Sequence, residues 1–197
     1  MKQLLDEGKI GIPVSVEAHF SYSPADVQQI PEWKMNEASC PLLPMTQLGI
    51  HFIDLLQYFF GDVREVSCSA NHRSLRSADR EIIDSAVAMV AFGNGVLGTL
   101  QSHYVVPETF ELRLYGTEGK LVCTATQLQI MQKSASQIEV RDYSGDPLQS
   151  IIEELEEFGE CIRLGTRPEV DGEVGLRNVQ IIDAMFESHR LKKSISL

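Results

Sequence analysis

Three polar residues that could act on a substrate recur along an otherwise apolar segment. Gln47, His51 and Asp54 are spaced i, i+4 and i+7, so a helix would place them on one face. Histidine is the side chain best suited to proton transfer near neutral pH, whereas the glutamine amide forms hydrogen bonds but cannot carry a proton. Such a stripe faces water, a cavity or an internal polar network. A histidine with a purely structural role, which only forms a hydrogen bond with a neighbouring group, would occur at the same spacing.

The segment that carries these residues is predicted to be a helix from Pro44 to Phe60. Proline is favoured in a first turn, and Gly61 stands where a C-terminal cap is expected. The apolar side chains recur at helical spacing. They are Met45, Leu48, Phe52, Leu55, Leu56 and Phe59.

A long segment without a clear period precedes this helix, from residue 23 to residue 43. It contains three prolines and the only tryptophan, Trp33, followed by Lys34. Loops of this length inside a compact domain are typical of functional segments, so both side chains are candidates for lining a substrate site. A surface loop without a function, anchored to the protein by Trp33, would have the same composition.

Strands are predicted before and after the helix. Residues 14–22 alternate between apolar and polar side chains, which is the period of a half-buried strand. Residues 82–92 are apolar on both parities, so both faces of that strand should be covered, one by the chain's own helices and the other by a second copy of the sheet. Glycine-rich turns at residues 93–95 and 116–119 predict hairpins.

The turn at Gly93 also begins a G-x-G-x-x-G pattern that ends at Gly98. A dinucleotide-binding turn must open a helix, whose first N–H groups hold the pyrophosphate. The residues that follow, from Thr99 to Val105, favour a strand. The pattern is therefore interpreted as a hairpin, and no nucleotide site is predicted in this chain.

Two helices are predicted at the C-terminal end. Asp146 can cap the first helix and Pro147 suits its first turn. Its apolar stripe is expected to be buried and consists of Ile151, Ile152, Leu155, Phe158 and Ile162. The second helix is expected from Gly172 to Arg190, with its inward side chains being Val174, Val179, Ile182, Met185 and Phe186.

The composition excludes several classes of partner. The formal charge of −11 and the lack of a basic cluster argue against nucleic acid. No apolar run approaches the roughly 20 residues that span a bilayer, and the acidic N-terminus does not resemble a signal peptide. The four cysteines are widely spaced, which favours free thiols in the cytoplasm over a metal site.

Several motifs together resemble one enzyme family. Residues 48–56, LGIHFIDLL, followed by Phe60-Gly61-Asp62-Val63, resemble the signature helix of the glucose–fructose oxidoreductase / inositol dehydrogenase / rhizopine-catabolism (Gfo/Idh/MocA) family. The similarity continues in order and spacing through the rest of the chain. The other matching segments are residues 8–16, 84–99, 115–119, 171–177 and 184–188.

This resemblance implies a fold and a division of labour. Full-length members are NAD(P)-dependent dehydrogenases or reductases of sugars, cyclitols and related polyols, with an N-terminal Rossmann domain and a C-terminal α+β domain. Only the C-terminal domain resembles residues 1–197, and the Rossmann domain is expected to be absent. The implied domain is a large, mostly antiparallel open sheet with helices on one face. Its other face would mediate homodimer or homotetramer contacts.

The resemblance also assigns roles within the polar stripe. His51 falls on the family's proton-transfer histidine, and Gln47 falls where an aspartate is usual. A glycine run that usually precedes the helix is replaced by residues 40–44, CPLLP. Gln47 keeps hydrogen-bonding capacity but lacks the charge that would raise the basicity of a neighbouring histidine. Asp54 is expected to be a structural anchor.

The sequence therefore predicts the substrate-binding and oligomerisation domain of an NAD(P)-dependent sugar or polyol oxidoreductase, inactive without its Rossmann half. His51 would be catalytic, and Gln47, Trp33 and Lys34 would bind substrate. No cofactor and no metal are expected to bind this chain. The alternative is a non-catalytic dimerising or sugar-binding module derived from the same family, which the Gln47 replacement favours.

Overall fold

The computed structural model describes residues 1–23, 29–77, 80–146 and 148–197. The helices in these residues are α1 (Lys2–Asp6), α2 (Ile50–Phe60), α3 (Gln149–Leu164) and α4 (Gly172–Leu191). The strands are β1 (Pro13–Ser21), β2 (Val63–Asn71), β3 (Arg76–Ser77), β4 (Arg80–Glu81), β5 (Ser85–Phe92), β6 (Leu97–His103), β7 (Thr109–Gly116), β8 (Gly119–Thr124), β9 (Gln127–Gln132), β10 (Glu139–Asp142) and β11 (Ile195–Ser196).

Nine of these strands form one open sheet, in the order β10-β9-β8-β7-β1-β6-β5-β2-β11. β1 and β6 run parallel, and the other neighbouring strands of this sheet are antiparallel. β3 and β4 pair separately. The predicted α+β fold with a mostly antiparallel open sheet is confirmed.

The main core lies between one face of this sheet and the helices α2 and α4. Alternate strand residues point into it, as the period of two predicts for β1. The largest fully buried side chains on the two sides of this layer include Leu100, Leu112, Leu114 and Leu121 from the sheet and Phe52, Leu56 and Met185 from the helices.

The opposite face of the sheet, here called the open face, carries exposed apolar side chains. β5 begins at Ser85, three residues after the predicted start, and alternates between buried and exposed positions. Val87, Met89 and Leu97 are 42%, 60% and 61% exposed. The predicted cover on the helix side is present, whereas the described residues supply none for these three side chains.

The glycine-rich turn at residues 93–95 forms a hairpin between β5 and β6. Gly95 has a φ of 90°, a conformation that favours glycine, and the Asn94 side-chain oxygen accepts a hydrogen bond from the Val96 N–H. The chain then enters β6 at Leu97. Because no helix follows this turn, its N–H groups do not form a phosphate-binding helix N-terminus.

The prediction for the first C-terminal helix was wrong about its surroundings. The helix α3 forms, but no residue in it is buried, and the five side chains of its predicted buried stripe are 44% to 69% exposed. The reason is that α2 and α4 already cover the helix side of the sheet. Val179 of α4, expected to point inward, is also 49% exposed.

The start of α3 also differs from the prediction. Leu148 occupies the N-cap position, and the Asp146 carboxylate accepts a hydrogen bond from the Leu148 N–H. Pro147, predicted in the first turn, lies outside the described residues.

In the described part of the chain, no helix combines the length and apolar character needed to cross a membrane.

Candidate functional site

The helix that carries the polar stripe has two geometries. Residues Met45–Gly49 form a π-helical turn, and the α-helical hydrogen bonding begins at Ile50. Short π segments inside helices are rare and occur frequently at functional sites. Gly49 permits the tight packing of this turn, since a Cβ there would lie 2.7 Å from the Met45 sulfur. The predicted helix from Pro44 to Phe60 therefore forms, with π-helical hydrogen bonding in its first turn.

The segment before this helix holds a buried leucine in an unusual conformation. Leu42 has a φ of 51°, in the left-handed region, and is 1% exposed. Residues other than glycine rarely adopt this region because the Cβ approaches the following carbonyl. Leu42 lies where the family resemblance expects a glycine run, so the backbone keeps a shape suited to glycine.

A buried hydroxyl fixes the helix against the sheet. The Oγ of Ser102, on β6, lies 2.8 Å from the carbonyl oxygen of Phe20 and 2.9 Å from that of Pro44. Ser102 is fully buried, and its single proton is shared between the two carbonyls. The end of β1 and the start of the helix are thereby held at one place.

The side chain of His51 projects from this helix into solvent. It is exposed, whereas the next residue, Phe52, is buried in the core. The imidazole ring centroid lies 6.0 Å from that of Phe20. Phe20 in turn contacts Phe52 and Phe110, with ring centroids 6.1 Å and 5.4 Å away. His51 therefore stands accessible at the edge of an aromatic platform formed by Phe20, Phe52 and Phe110.

Gln47 lies one turn before His51 and is half-buried. Its side-chain Nε2 donates a hydrogen bond to the Cys40 sulfur at 3.7 Å. Burial raises the pKa of the Cys40 thiol, whereas the Gln47 hydrogen bond and the positive charge of Lys34 lower this pKa by a smaller amount. The thiol therefore stays protonated near neutral pH, and Gln47 has a neutral partner.

Trp33 and Lys34 lie in a short 3-10 turn, Glu32–Met35, of the preceding loop. Trp33 is 53% exposed, and the Lys34 ammonium lies 5.5 Å from its ring centroid, within the range of a cation–π contact. Lys34 also lines a cavity of about 40 Å³ that includes Cys40. The structure thus places both Lys34 and Gln47 near Cys40.

His51 is not part of this group of contacts. Among the described residues, the ring of His51 lies next to the ring of Phe20, and it does not contact Trp33 or Lys34. Residues 24–28 of the long loop lie outside the described residues. The candidate site therefore consists of an exposed part around His51 and a half-buried part around Gln47, joined by one helical turn.

Asp54, the third member of the stripe, joins two helices. Its carboxylate accepts a hydrogen bond from the side-chain nitrogen of Asn178, at 2.8 Å. Asn178 is 5% exposed and accepts a hydrogen bond from Gln57 at 2.5 Å. This network ties α2 to α4, in agreement with the anchoring role expected for Asp54.

Sequence reasoning missed the residues that support the stripe. Phe20 and Phe110 come from strands β1 and β7, and their only sequence signal is the alternating pattern that also marks ordinary core positions. Ser102 and Cys40 carried no signal, because their roles depend on backbone atoms and side chains distant in the sequence.

The described residues contain neither a metal-ligand cluster nor a phosphate-binding turn at Gly93. They contain no cluster of three or more histidine, cysteine, aspartate or glutamate side chains arranged for a metal ion. The glycine pattern at residues 93–98 is a hairpin, so it offers no helix N-terminus to a pyrophosphate.

The open, mostly antiparallel sheet with helices on one face defines an α+β domain. The chain belongs to the Gfo/Idh/MocA oxidoreductase family, because the model of that family's C-terminal alpha/beta domain matches residues 2–197. The expected family is thereby confirmed.

Known relatives share the fold at low sequence identity. The D-xylose 1-dehydrogenase [NADP(+)] of Haloarcula marismortui is 22% identical over 205 residues, covering 100% of this chain and 56% of the relative. The structure of levoglucosan dehydrogenase with NADH and levoglucosan has a TM-score of 0.87 and 18% identity, covering 100% of this chain and 61% of that one.

A third similar structure is the aldose-aldose oxidoreductase of Caulobacter crescentus, complexed with glycerol. Its TM-score is 0.83 with 20% identity, and the match covers 100% of this chain and 59% of that one. The chain thus spans a little more than half the length of these three relatives.

Proposed function

We propose that this domain forms the substrate-binding wall of an NAD(P)-dependent dehydrogenase or reductase of a sugar, cyclitol or related polyol. The observation that carries the proposal is His51, an accessible imidazole on a helix whose next residues, Phe52 and Ile53, are buried. The relatives named as D-xylose and levoglucosan dehydrogenases support the substrate class.

In this proposal, His51 orients a substrate hydroxyl and accepts or returns its proton. A sugar presents an apolar face of C–H groups as well as hydroxyls, and the Phe20 platform beside His51 offers an apolar surface to that face. Gln47 would hold a second hydroxyl, whose O–H donates to its amide oxygen while its nitrogen contacts Cys40. Trp33 and Lys34 would line the approach from the loop.

The nicotinamide cofactor would be bound by another domain, because the glycine pattern at residues 93–98 forms a hairpin and not a nucleotide-binding turn. This chain alone would then bind NAD(H) or NADP(H) weakly and would not turn over. Equilibrium dialysis of the chain with either cofactor checks this expectation, and micromolar affinity would contradict it.

The catalytic role is tested in the full natural product of the gene that contains this chain. NAD(H)- and NADP(H)-linked turnover is measured on a panel of aldoses, ketoses, cyclitols and other polyols, with His51→Asn as the variant. Loss of a general acid–base group lowers kcat by about 10²- to 10⁴-fold. Tyr58→Phe, on the exposed side of the same helix, is the control. An unchanged kcat in His51→Asn would remove the proposed role.

A second candidate function is a non-catalytic sugar-binding or dimerising module. The observation that favours it is the neutral Gln47–Cys40 contact at the position where the family resemblance expects an aspartate. If the natural protein binds a polyol without turnover, and Gln47→Asp introduces nicotinamide-linked turnover, this second candidate is the correct one.

We also propose that the open face mediates association of two or four copies of this chain. Val87, Met89 and Leu97 lie on the adjacent strands β5 and β6, and Met89 and Leu97 line a groove of about 410 Å³. Contiguous exposed apolar surface of this kind marks interaction sites. Sedimentation should give a dimer or larger species for the natural chain and a monomer for Met89→Asp. Val179→Asp, at an exposed position on α4, which covers the other side of the sheet, should change nothing. A monomeric natural chain at high concentration would refute the proposal.

A further inference from the structure

Two histidines lie side by side on the open face of the sheet. His19, on β1, and His103, at the end of the neighbouring strand β6, have ring centroids 5.4 Å apart and ring planes at 90°. The alternation of β6 places His103 on the same face as the exposed Leu97. Both histidines are half-buried. The pair lies across the sheet from α2, the helix that carries His51.

The pair borders the exposed apolar side chains of the open face. β5 and β6 are paired so that Ser85 lies opposite His103. Val87 and Met89 follow Ser85 at alternate positions of β5, so all three share the open face. A second copy that covers Val87 and Met89 would therefore also reach the two imidazole rings.

The hydrogen bonds of the pair suit neutral rings. The Ser21 hydroxyl oxygen accepts a hydrogen bond from the His103 backbone N–H at 2.9 Å and lies 2.8 Å from the His19 Nε2. A neutral His19 ring can accept the Ser21 proton at this nitrogen, whereas an imidazolium donates at both nitrogens. Because Ser21 is 0% exposed, its hydroxyl proton would then lose this acceptor. The Ser85 hydroxyl lies 2.7 Å from the His103 Nδ1 and repeats the arrangement.

The charged groups around His19 compensate one another. Glu111, on β7, lies opposite His19, and its charge raises the pKa of that ring by less than burial lowers it. The Glu111 carboxylate accepts hydrogen bonds from the Arg113 guanidinium at 2.8 Å and 3.2 Å. Arg113 also contacts Glu17, which accepts a hydrogen bond from Tyr115 at 3.0 Å. Little uncompensated negative charge is therefore left to stabilise a protonated His19.

His103 has a similar environment. Burial and the neighbouring His19 lower the pKa of the His103 ring, and the Asp84 carboxylate raises it by a smaller amount. That carboxylate already accepts hydrogen bonds from the backbone N–H groups of residues 73–75. The half-buried rings therefore depend on the remaining water to stabilise a positive charge.

We propose that the pair formed by His19 and His103 makes the association of two copies through the open face dependent on pH, so that the copies separate as the rings gain protons. This inference rests on the association proposed above. A second copy would exclude the water that still reaches the rings, and excluding water disfavours the charged imidazolium. Association therefore releases protons, and the dissociation constant rises as the pH falls.

Sedimentation equilibrium at pH 7.5 and pH 5 tests the proposal. The natural chain is compared with the double variant His19→Gln/His103→Gln and with His51→Gln, which removes an exposed histidine on the other side of the sheet. We expect the dissociation constant to rise about tenfold or more at pH 5 in the natural chain and in His51→Gln, and to change by less than about threefold in the double variant. Far-UV circular dichroism at both pH values separates dissociation from unfolding.

The outcomes distinguish the two proposals. A natural chain that is associated equally at both pH values would overturn the role of the histidines and leave the open-face association standing. A folded chain that is monomeric at both pH values would refute the association itself, and the pH dependence with it. A double variant that keeps the full pH dependence would also overturn the role of this pair.

A second measurement avoids the double variant. The ring signals of His19 and His103 are titrated by NMR in the natural chain at high concentration and in the monomeric Met89→Asp variant. The pKa of both rings should be lower in the associated chain than in the monomer, because the second copy excludes water from them. Equal pKa values in the two samples would overturn the proposal.

Discussion

The buried carboxylate of Asp84 should be one of the most sensitive positions in this domain. Asp84 is 0% exposed and accepts hydrogen bonds from three successive backbone N–H groups, at 3.0 Å from Arg73, 2.7 Å from Ser74 and 2.8 Å from Leu75. A carboxylate enclosed by backbone N–H groups in this way fixes the loop that supplies them. That loop delivers Leu75 into the small core cluster that also contains Cys40, the partner of Gln47.

Asp84→Asn keeps the size of the side chain but removes the charge and turns one acceptor into a donor. Its oxygen can still serve Ser74 and Leu75, whereas its NH₂ group then faces the Arg73 N–H. Hydrogen bonds to charged groups contribute about 1.5–3 kcal/mol each, and an unsatisfied buried donor costs a similar amount. We therefore expect the free energy of unfolding to fall by about 3 kcal/mol, a large fraction of the stability of a typical domain.

Urea unfolding of the purified chain measures this loss. With an m-value of about 2 kcal/mol/M, the midpoint should fall by about 1.5 M while m stays constant. The control is Asp183→Asn on the exposed side of α4, which should change the stability by less than about 0.5 kcal/mol. A loss below about 1 kcal/mol in Asp84→Asn would refute the view that this carboxylate holds the loop.

Three further outcomes are expected. Asp171→Ala removes the acceptor for two N–H groups in the first turn of α4 and should lower the stability by about 1 kcal/mol, measured by thermal unfolding. Ser102→Ala should cost about 1 kcal/mol and increase hydrogen exchange at the start of the site helix. Burial lowers the pKa of His19 and His103 below the ordinary 6.5, so the unfolded chain binds more protons. The free energy of unfolding should therefore keep this contribution above about pH 6.5 and lose it as the pH falls below that value. Replacing both His19 and His103 by glutamine should reduce the dependence of the free energy of unfolding on pH, measured between pH 7.5 and 5.

The strands and hairpins could be predicted because their signals are local. The alternation of β1 follows from the period of the strand itself, and the turn at Gly93–Gly95 depends on residue types within four positions. The same locality correctly separated the glycine pattern from a nucleotide-binding turn, since the decisive evidence was the strand that follows immediately. His51 was identifiable as a candidate because a polar residue interrupts an apolar helix.

The support of the candidate site could not be predicted in the same way. The π-helical turn before Ile50 depends on how Met45 packs against Gly49, and the left-handed conformation of Leu42 depends on the tertiary path of the chain. The contact between Gln47 and Cys40 joins residues seven positions apart across that turn. Each of these features arises from packing, which residue types alone do not specify.

The α3 stripe shows which part of an amphipathic pattern is local and which is not. Its spacing correctly predicted a helix, because the period is a property of the segment. It did not predict burial, because burial depends on which surface is present to receive the stripe, and the sheet's helix side is already filled by α2 and α4. The domain consequently exposes apolar surface on both sides of its sheet, at α3 and at Met89 on the open face.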